Sequence, residues 1–119
     1  MIKATKHIYR LLSENETIIK KTKSRIYPLV AEDDDKYPFI IYSREGHEAN
    51  RVKFGIASQS LRIEVNVVSA DYNESIDIAC TVIDVLNDKV LDETYNISFI
   101  GSSEQYNNAY VQTLIFKIE

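Results

Sequence analysis

Two histidines, a single cysteine and one acidic run are the places in this 119-residue chain where proton transfer, nucleophilic attack or metal ligation has suitable side chains. A general base needs a nucleophile within hydrogen-bond reach and a third group to orient it. His7 and His47 fall in different predicted elements, and neither has a serine or cysteine set beside it in a recognisable nucleophile turn. Cys80 lies in mid-helix between Asp77 and Asp84, surroundings that do not favour a thiolate, and is expected to act as a small hydrophobe on a sheet-facing stripe with Ile76 and Ile83. A lone cysteine makes neither an internal disulfide nor a structural zinc cluster. Glu32-Asp33-Asp34-Asp35 offers oxygen ligands for a hard cation, but no glycine marks the bend and no glutamate closes a calcium loop, so a solvated acidic turn is expected. Gly46, Gly55 and Gly101 are isolated, which excludes dinucleotide and Walker phosphate loops. No catalytic residue, cofactor or metal is assigned, and the expectation is a protein that is not an enzyme.

Binding to nucleic acid is the next class to weigh. The chain carries 14 Lys and Arg against 18 Asp and Glu, a net charge of -4, whereas a general nucleic-acid binder must neutralise many phosphates. The tyrosines, among them Tyr9, Tyr37, Tyr42, Tyr72, Tyr95, Tyr106 and Tyr110, lack the cationic grooves of stacking platforms and fit core or interface positions better. Asn15, Asn73 and Asn96 match a glycosylation pattern that has no meaning without a secretory route. The first residues are not followed by the apolar segment of a signal peptide, and no run is long enough for a membrane helix, so a cytoplasmic protein with no membrane partner is expected. Charge is unevenly spread: residues 1 to 30 carry a local +5 and residues 71 to 93 a local -6. Such asymmetry suits head-to-tail contacts between copies or with an unlike partner.

Positioning any of these groups requires a scaffold, and 119 residues support one domain spanning 1-119 that folds without disulfides. Ala4, Ile8, Leu11 and Leu12 recur at helical spacing, predicting an amphipathic helix over about residues 2 to 13. Asn15 or Thr17 can cap a short turn through Ile18 and Ile19, before the basic Lys20, Lys21 and Lys23. Arg25-Ile26-Tyr27-Pro28 reads as an edge strand or strand end, since proline cannot donate to a ladder. Tyr37-Pro38-Phe39-Ile40-Ile41-Tyr42 reads as a half-covered central strand. Residues 46 to 58 form a long polar connection carrying Arg51, Lys53 and Phe54, either a mobile loop or a hairpin arm that reaches onto a neighbouring copy or onto an unlike partner. Leu61, Ile63, Val65 and Val67 alternate as the clearest strand.

Asp71 can cap a second long helix to about Asn87, with Glu74 closing a capping box. Ile76, Ala79, Cys80, Ile83 and Val90 share one face of it, and Ile78, Val82 and Val85 form a second apolar stripe. That second stripe must meet either the N-terminal helix or a neighbouring subunit. Tyr95 to Ser102 and Tyr110 to Ile118 read as a hairpin joined through residues 104 to 108. The order α-β-β-β-α-β-β predicts an α+β fold: an antiparallel twisted sheet of about four to five strands with two helices on one face.

The succession Arg25-Ile26-Tyr27-Pro28, Tyr37 to Tyr42, then Leu61-Arg62-Ile63-Glu64-Val65 running into Ser69-Ala70-Asp71-Tyr72-Asn73-Glu74 and a long helix resembles the tail-completion, or tail-terminator, family of long-tailed phages. The resemblance spans about residues 5 to 90 and lies in the order of the segments; beyond that it is architectural. It implies a small structural α+β protein of a phage or prophage that forms a ring, typically a hexamer, on the head-proximal end of the tail tube. Its partners would be other copies of itself, the tail-tube protein and the head-tail connector, with no sequence-specific nucleic acid. It would reside in the host bacterial cytoplasm during assembly and then in the virion tail. Ile78, Val82, Val85, Arg51, Lys53 and Phe54 are the candidate interface residues. The alternatives are a head-closure or tail-tube component, a small enzyme or regulator using His7, His47 or the acidic turn at residues 32 to 35, and a nucleic-acid adaptor using Lys20, Lys21, Lys23 and Arg25.

Overall fold

A computed structural model describes residues 2-31, 36-91 and 93-119, with Ala57 described by its backbone alone. A 3-10 turn, Ile2–Thr5, leads into α1 (Lys6–Ser13) and α2 (Glu16–Thr22), followed by β1 (Ile26–Pro28), β2 (Phe39–Val52) and β3 (Gly55–Ser69). Then come α3 (Tyr72–Leu86), β4 (Val90–Leu91), β5 (Tyr95–Tyr106) and β6 (Tyr110–Ile118). The six strands lie in the order β1-β2-β3-β6-β5-β4. The expected α+β class holds, with differences in detail. One very short strand, β4, extends the sheet beyond the expected four to five, and β1, expected as an edge strand, runs parallel to β2, whereas every other pairing is antiparallel. Three α-helices replace the expected two, because the short turn expected through Ile18 and Ile19 is a helix of its own, α2.

Local chemistry explains these boundaries. The Asn15 side chain accepts the Ile18 N–H at 3.0 Å and so starts α2 afresh. Lys23 and Ser24 then adopt positive φ, which turns the chain into β1. At α3 the Asp71 carboxylate accepts the Glu74 N–H at 2.9 Å. The capping box is not closed by Glu74 itself: the Asp71 N–H donates to Ser69 Oγ at 3.1 Å, and Ser69 in turn donates to Glu74 at 2.7 Å. The buried Ser69 is thereby satisfied at both ends.

Alternation along β3 sends Leu61, Ile63, Val65 and Val67 into one core with Leu114, Phe116 and Ile118 of β6 and Ile97 of β5. Ile8 and Leu12 of α1, Ile18 of α2 and Ile78, Ala79, Val82 and Leu86 of α3 close that core from the helical side. All three helices therefore cover one sheet face, since each needs to bury only one stripe. Among the described residues, the other face carries no helix. Its small cluster of Phe39, Val68 and Ala109, with Tyr27, Tyr37, Ile41 and Val111 packed against it, lies at the end of the sheet where β3 leads into α3.

Candidate interaction surface

Past Leu61, where β3 and β6 cease to pair, β2 and β3 continue alone as a two-stranded ribbon whose register runs on to Val52 opposite Gly55. This arm gives the molecule its length, 51 Å against 27 and 23 Å in the other directions. The long connection expected at residues 46 to 58 is therefore a paired hairpin and not a loop. The polar composition that suggested a loop reflects strands with solvent on both sides. A bulge at Glu45 and a second irregularity beyond Asn50 bend the ribbon. Across it, His47 Nε2 and Gln59 Oε1 lie 2.9 Å apart, and Asn50 donates to Ser58 Oγ at 2.9 Å. Gly55, at φ 134°, takes a conformation that a side chain would strain, and this permits the tight turn over Lys53 and Phe54.

The tip exposes apolar surface that none of the described residues covers: Phe54 is 93% exposed, Val52 57% and Ile56 48%. Lys53 Nζ stands 5.7 Å from the Phe54 ring centroid, and Arg51 is also exposed, so the tip is both apolar and cationic. Arg51, Lys53 and Phe54 thus sit together at the end of a projecting ribbon.

Ile78, Val82 and Val85 are placed differently. Ile78 and Val82 are completely buried within their own chain, between the sheet and the N-terminal helices, so a neighbour cannot reach the stripe proposed for it. The physical reason is the position of α1 and α2, which pack against α3 and take up the surplus apolar surface. Val85 is half-buried and lines a groove of about 480 Å³ with Leu11, Glu14, Asn15, Thr81, Asp84 and Lys89. Cys80, expected to face the sheet, is exposed; Ser75, Ile78, Ala79, Val82 and Leu86 form the buried stripe instead. Val90 lies beyond the helix, in β4, and is exposed. The basic and acidic stretches are neighbours within one chain, since α1 and α2 lie directly against α3.

The histidines and the cysteine considered for chemistry lie on separate elements. His7 is on α1, 3.2 Å from Arg10 Nη2, while His47 is on the arm. Glu32 to Asp35 lie outside the described residues, and among the described residues no group of three or more His, Cys, Asp or Glu is placed to hold a metal. Arg25 is engaged within the chain, donating to the carbonyls of Pro38 at 3.0 Å and Tyr37 at 2.9 Å, so the basic stretch projects Lys20, Lys21 and Lys23 without it.

Sequence reasoning did not pick out the cluster where α3 meets the tip of the β5–β6 hairpin. Glu104 accepts the Tyr72 hydroxyl at 3.1 Å and Gln112 Nε2 at 2.9 Å, with Tyr72, Tyr106 and Tyr110 in ring contact. The hydrogen bond to Glu104, then that carboxylate's charge, push the Tyr72 phenol above its usual range. A raised phenol stays protonated at neutral pH, the reverse of an activated base or nucleophile. The cluster fastens helix to hairpin, and only the fold brings residues 72 and 104 together.

The fold and its surface define a small α+β domain with helices on one sheet face and a projecting apolar-cationic ribbon. No protein-family model matches the chain, and no curated protein does. Among solved structures the chain is similar to one described as "Virion of native gene transfer agent (GTA) particle", with a TM-score of 0.73 and 16% sequence identity, over 93% of this chain and 89% of that one. At that identity the likeness is one of fold.

Proposed function

We propose that this chain is a structural virion protein of a phage or prophage, and that it forms a ring at the head-proximal end of the tail tube, ending tube growth and joining tail to head. The observation that carries the reading is the shared fold over nearly the whole chain with a component of a virion particle. The projecting arm supports it, because a ribbon exposed on both sides gains order and buries its apolar tip only against another molecule. The mechanism is geometric. One face of the ring would occupy the growing end of the tube and block further addition, and the other would receive the connector; no covalent step and no cofactor is involved. Assembly would take place in the bacterial cytoplasm and the product would remain in the virion tail.

The test is electron microscopy of the purified protein alone and after co-sedimentation with tails that lack their terminal component. Closed rings that cap one tail end are the expected result. Rings that stack into tubes would place the chain among tube components, and rings bound only to heads would make it a head-closure protein. A protein that neither forms rings nor binds tails or heads would refute the proposal.

A further inference from the structure

The tip of the arm and the groove between α1 and α3 are complementary in two independent respects. The tip presents Phe54 flanked by Arg51 and Lys53, whereas the groove is lined by the half-buried Leu11 and Val85 beside the polar Asn15 and Thr81, with the exposed Glu14 and Asp84 on its rim. Lys89 is also on that rim, and Glu14 lies 3.9 Å from Arg10 in an exposed pair that a tip cation can join or displace. A second groove of about 380 Å³ is no rival, because Lys3, Lys6 and Arg44 line it without a carboxylate and would repel the same tip. Within one chain the tip stands free, with Phe54 almost fully exposed, so the groove is not filled by its own arm.

We propose that the arm tip of one copy seats in the α1–α3 groove of the next, with Phe54 on Leu11 and Val85 and with Arg51 and Lys53 facing Glu14 and Asp84. The inference rests on the ring reading above and names its subunit contact. Tip and groove are different surfaces, so the contact is heterologous: each copy donates one arm and accepts another, and a ring results when the rotation closes. Burial of an aromatic anchor in a pocket with charges around it is the arrangement that concentrates binding energy at interfaces. It also explains why the arm carries apolar residues at its end and polar ones along its length.

Two measurements on the same samples separate this contact from the ring itself. In a Cys80→Ser background, which removes the exposed native thiol, Phe54→Cys combined with Val85→Cys is expected to give an intermolecular disulfide ladder on mild oxidation. Phe54→Cys combined with Ser43→Cys, which addresses the cationic groove, should not. Light scattering across concentration should show association of Arg51→Glu/Lys53→Glu weakened by about tenfold or more, with an unchanged melt. The copy carrying Glu14→Lys/Asp84→Lys should be weakened likewise, and mixing the two should restore assembly, because each tip then meets a groove of opposite charge. Association that ignores these changes and yields no Phe54–Val85 cross-link overturns the docking and leaves the ring standing. Open cross-linked chains without closed species uphold the docking and overturn the ring. A chain that stays monomeric and uncross-linked overturns the docking, and its behaviour on tails then decides the ring separately.

Discussion

Replacing Ile78 by alanine tests where the second apolar stripe of α3 is used. The side chain is completely buried among residues of its own chain, so truncation removes buried carbons and leaves a cavity, at a cost of about 2–5 kcal/mol. Unfolding entropy of about 2.1 cal/mol/K per residue amounts to about 0.25 kcal/mol/K for 119 residues, so a cost of about 3 kcal/mol lowers Tm by about 12 °C. Cys80→Ala, two residues along the same helix but exposed, is the internal control and should stay within about 0.5 kcal/mol, or about 2 °C. Thermal melts by circular dichroism and urea titrations at low protein concentration measure both variants without contribution from assembly. An Ile78→Ala melt indistinguishable from wild type, together with lost association, would refute the reasoning and return the stripe to an intersubunit surface.

Three further outcomes are expected. Asp71→Ala removes the cap of α3 and should destabilise the fold by about 1 kcal/mol in urea titration, with Asp71→Asn retaining most of the stability; equal losses would show that the cap is not what the carboxylate supplies. Burial of Tyr42, with a smaller contribution from Tyr9, raises its phenol pKa above 10.0. The unfolded chain therefore loses this proton first, and the stability present below pH 10.0 is lost as pH rises through the folded value. Tyr42→Phe should flatten that alkaline decline in urea midpoints, and an unchanged slope would contradict the assignment. Gly55→Ala strains the turn at φ 134° by about 1–3 kcal/mol locally; since the arm stands outside the core, association should fall while the main melt stays in place, and a lowered melt would show that arm and body are coupled.

Much of the scaffold was legible because its signals are local. The alternation from Leu61 to Val67, the caps at Asn15 and Asp71, and the proline that ends the edge strand β1 each depend on neighbours a few residues away, and each appears where its chemistry requires. The arm was half legible: its length and its exposed residues were apparent, but polar residues on both sides of a ribbon leave no periodicity to separate strand from loop. The two-residue β4 lay below any sequence signal, and β1, though read as extended, carried no sign of its parallel partner, because a strand of two or three residues is specified by the backbone groups it finds beside it.

The sequence alone therefore determined the α+β class, the main strands, the capped starts of α2 and α3 and the concentration of Arg51, Lys53 and Phe54 in one exposed segment. Only the tertiary structure decided which side of α3 is core, and the reason is physical. A helix with apolar residues on most of its circumference satisfies its own pattern in more than one rotation. The choice comes from what packs against it: α1 and α2 on one side, and on the other a sheet where Gln112 of β6 donates to Ser75. That rotation buries Ile78 and Val82, exposes Cys80, and leaves Val85 at the edge of a groove whose walls come from residues about seventy positions apart.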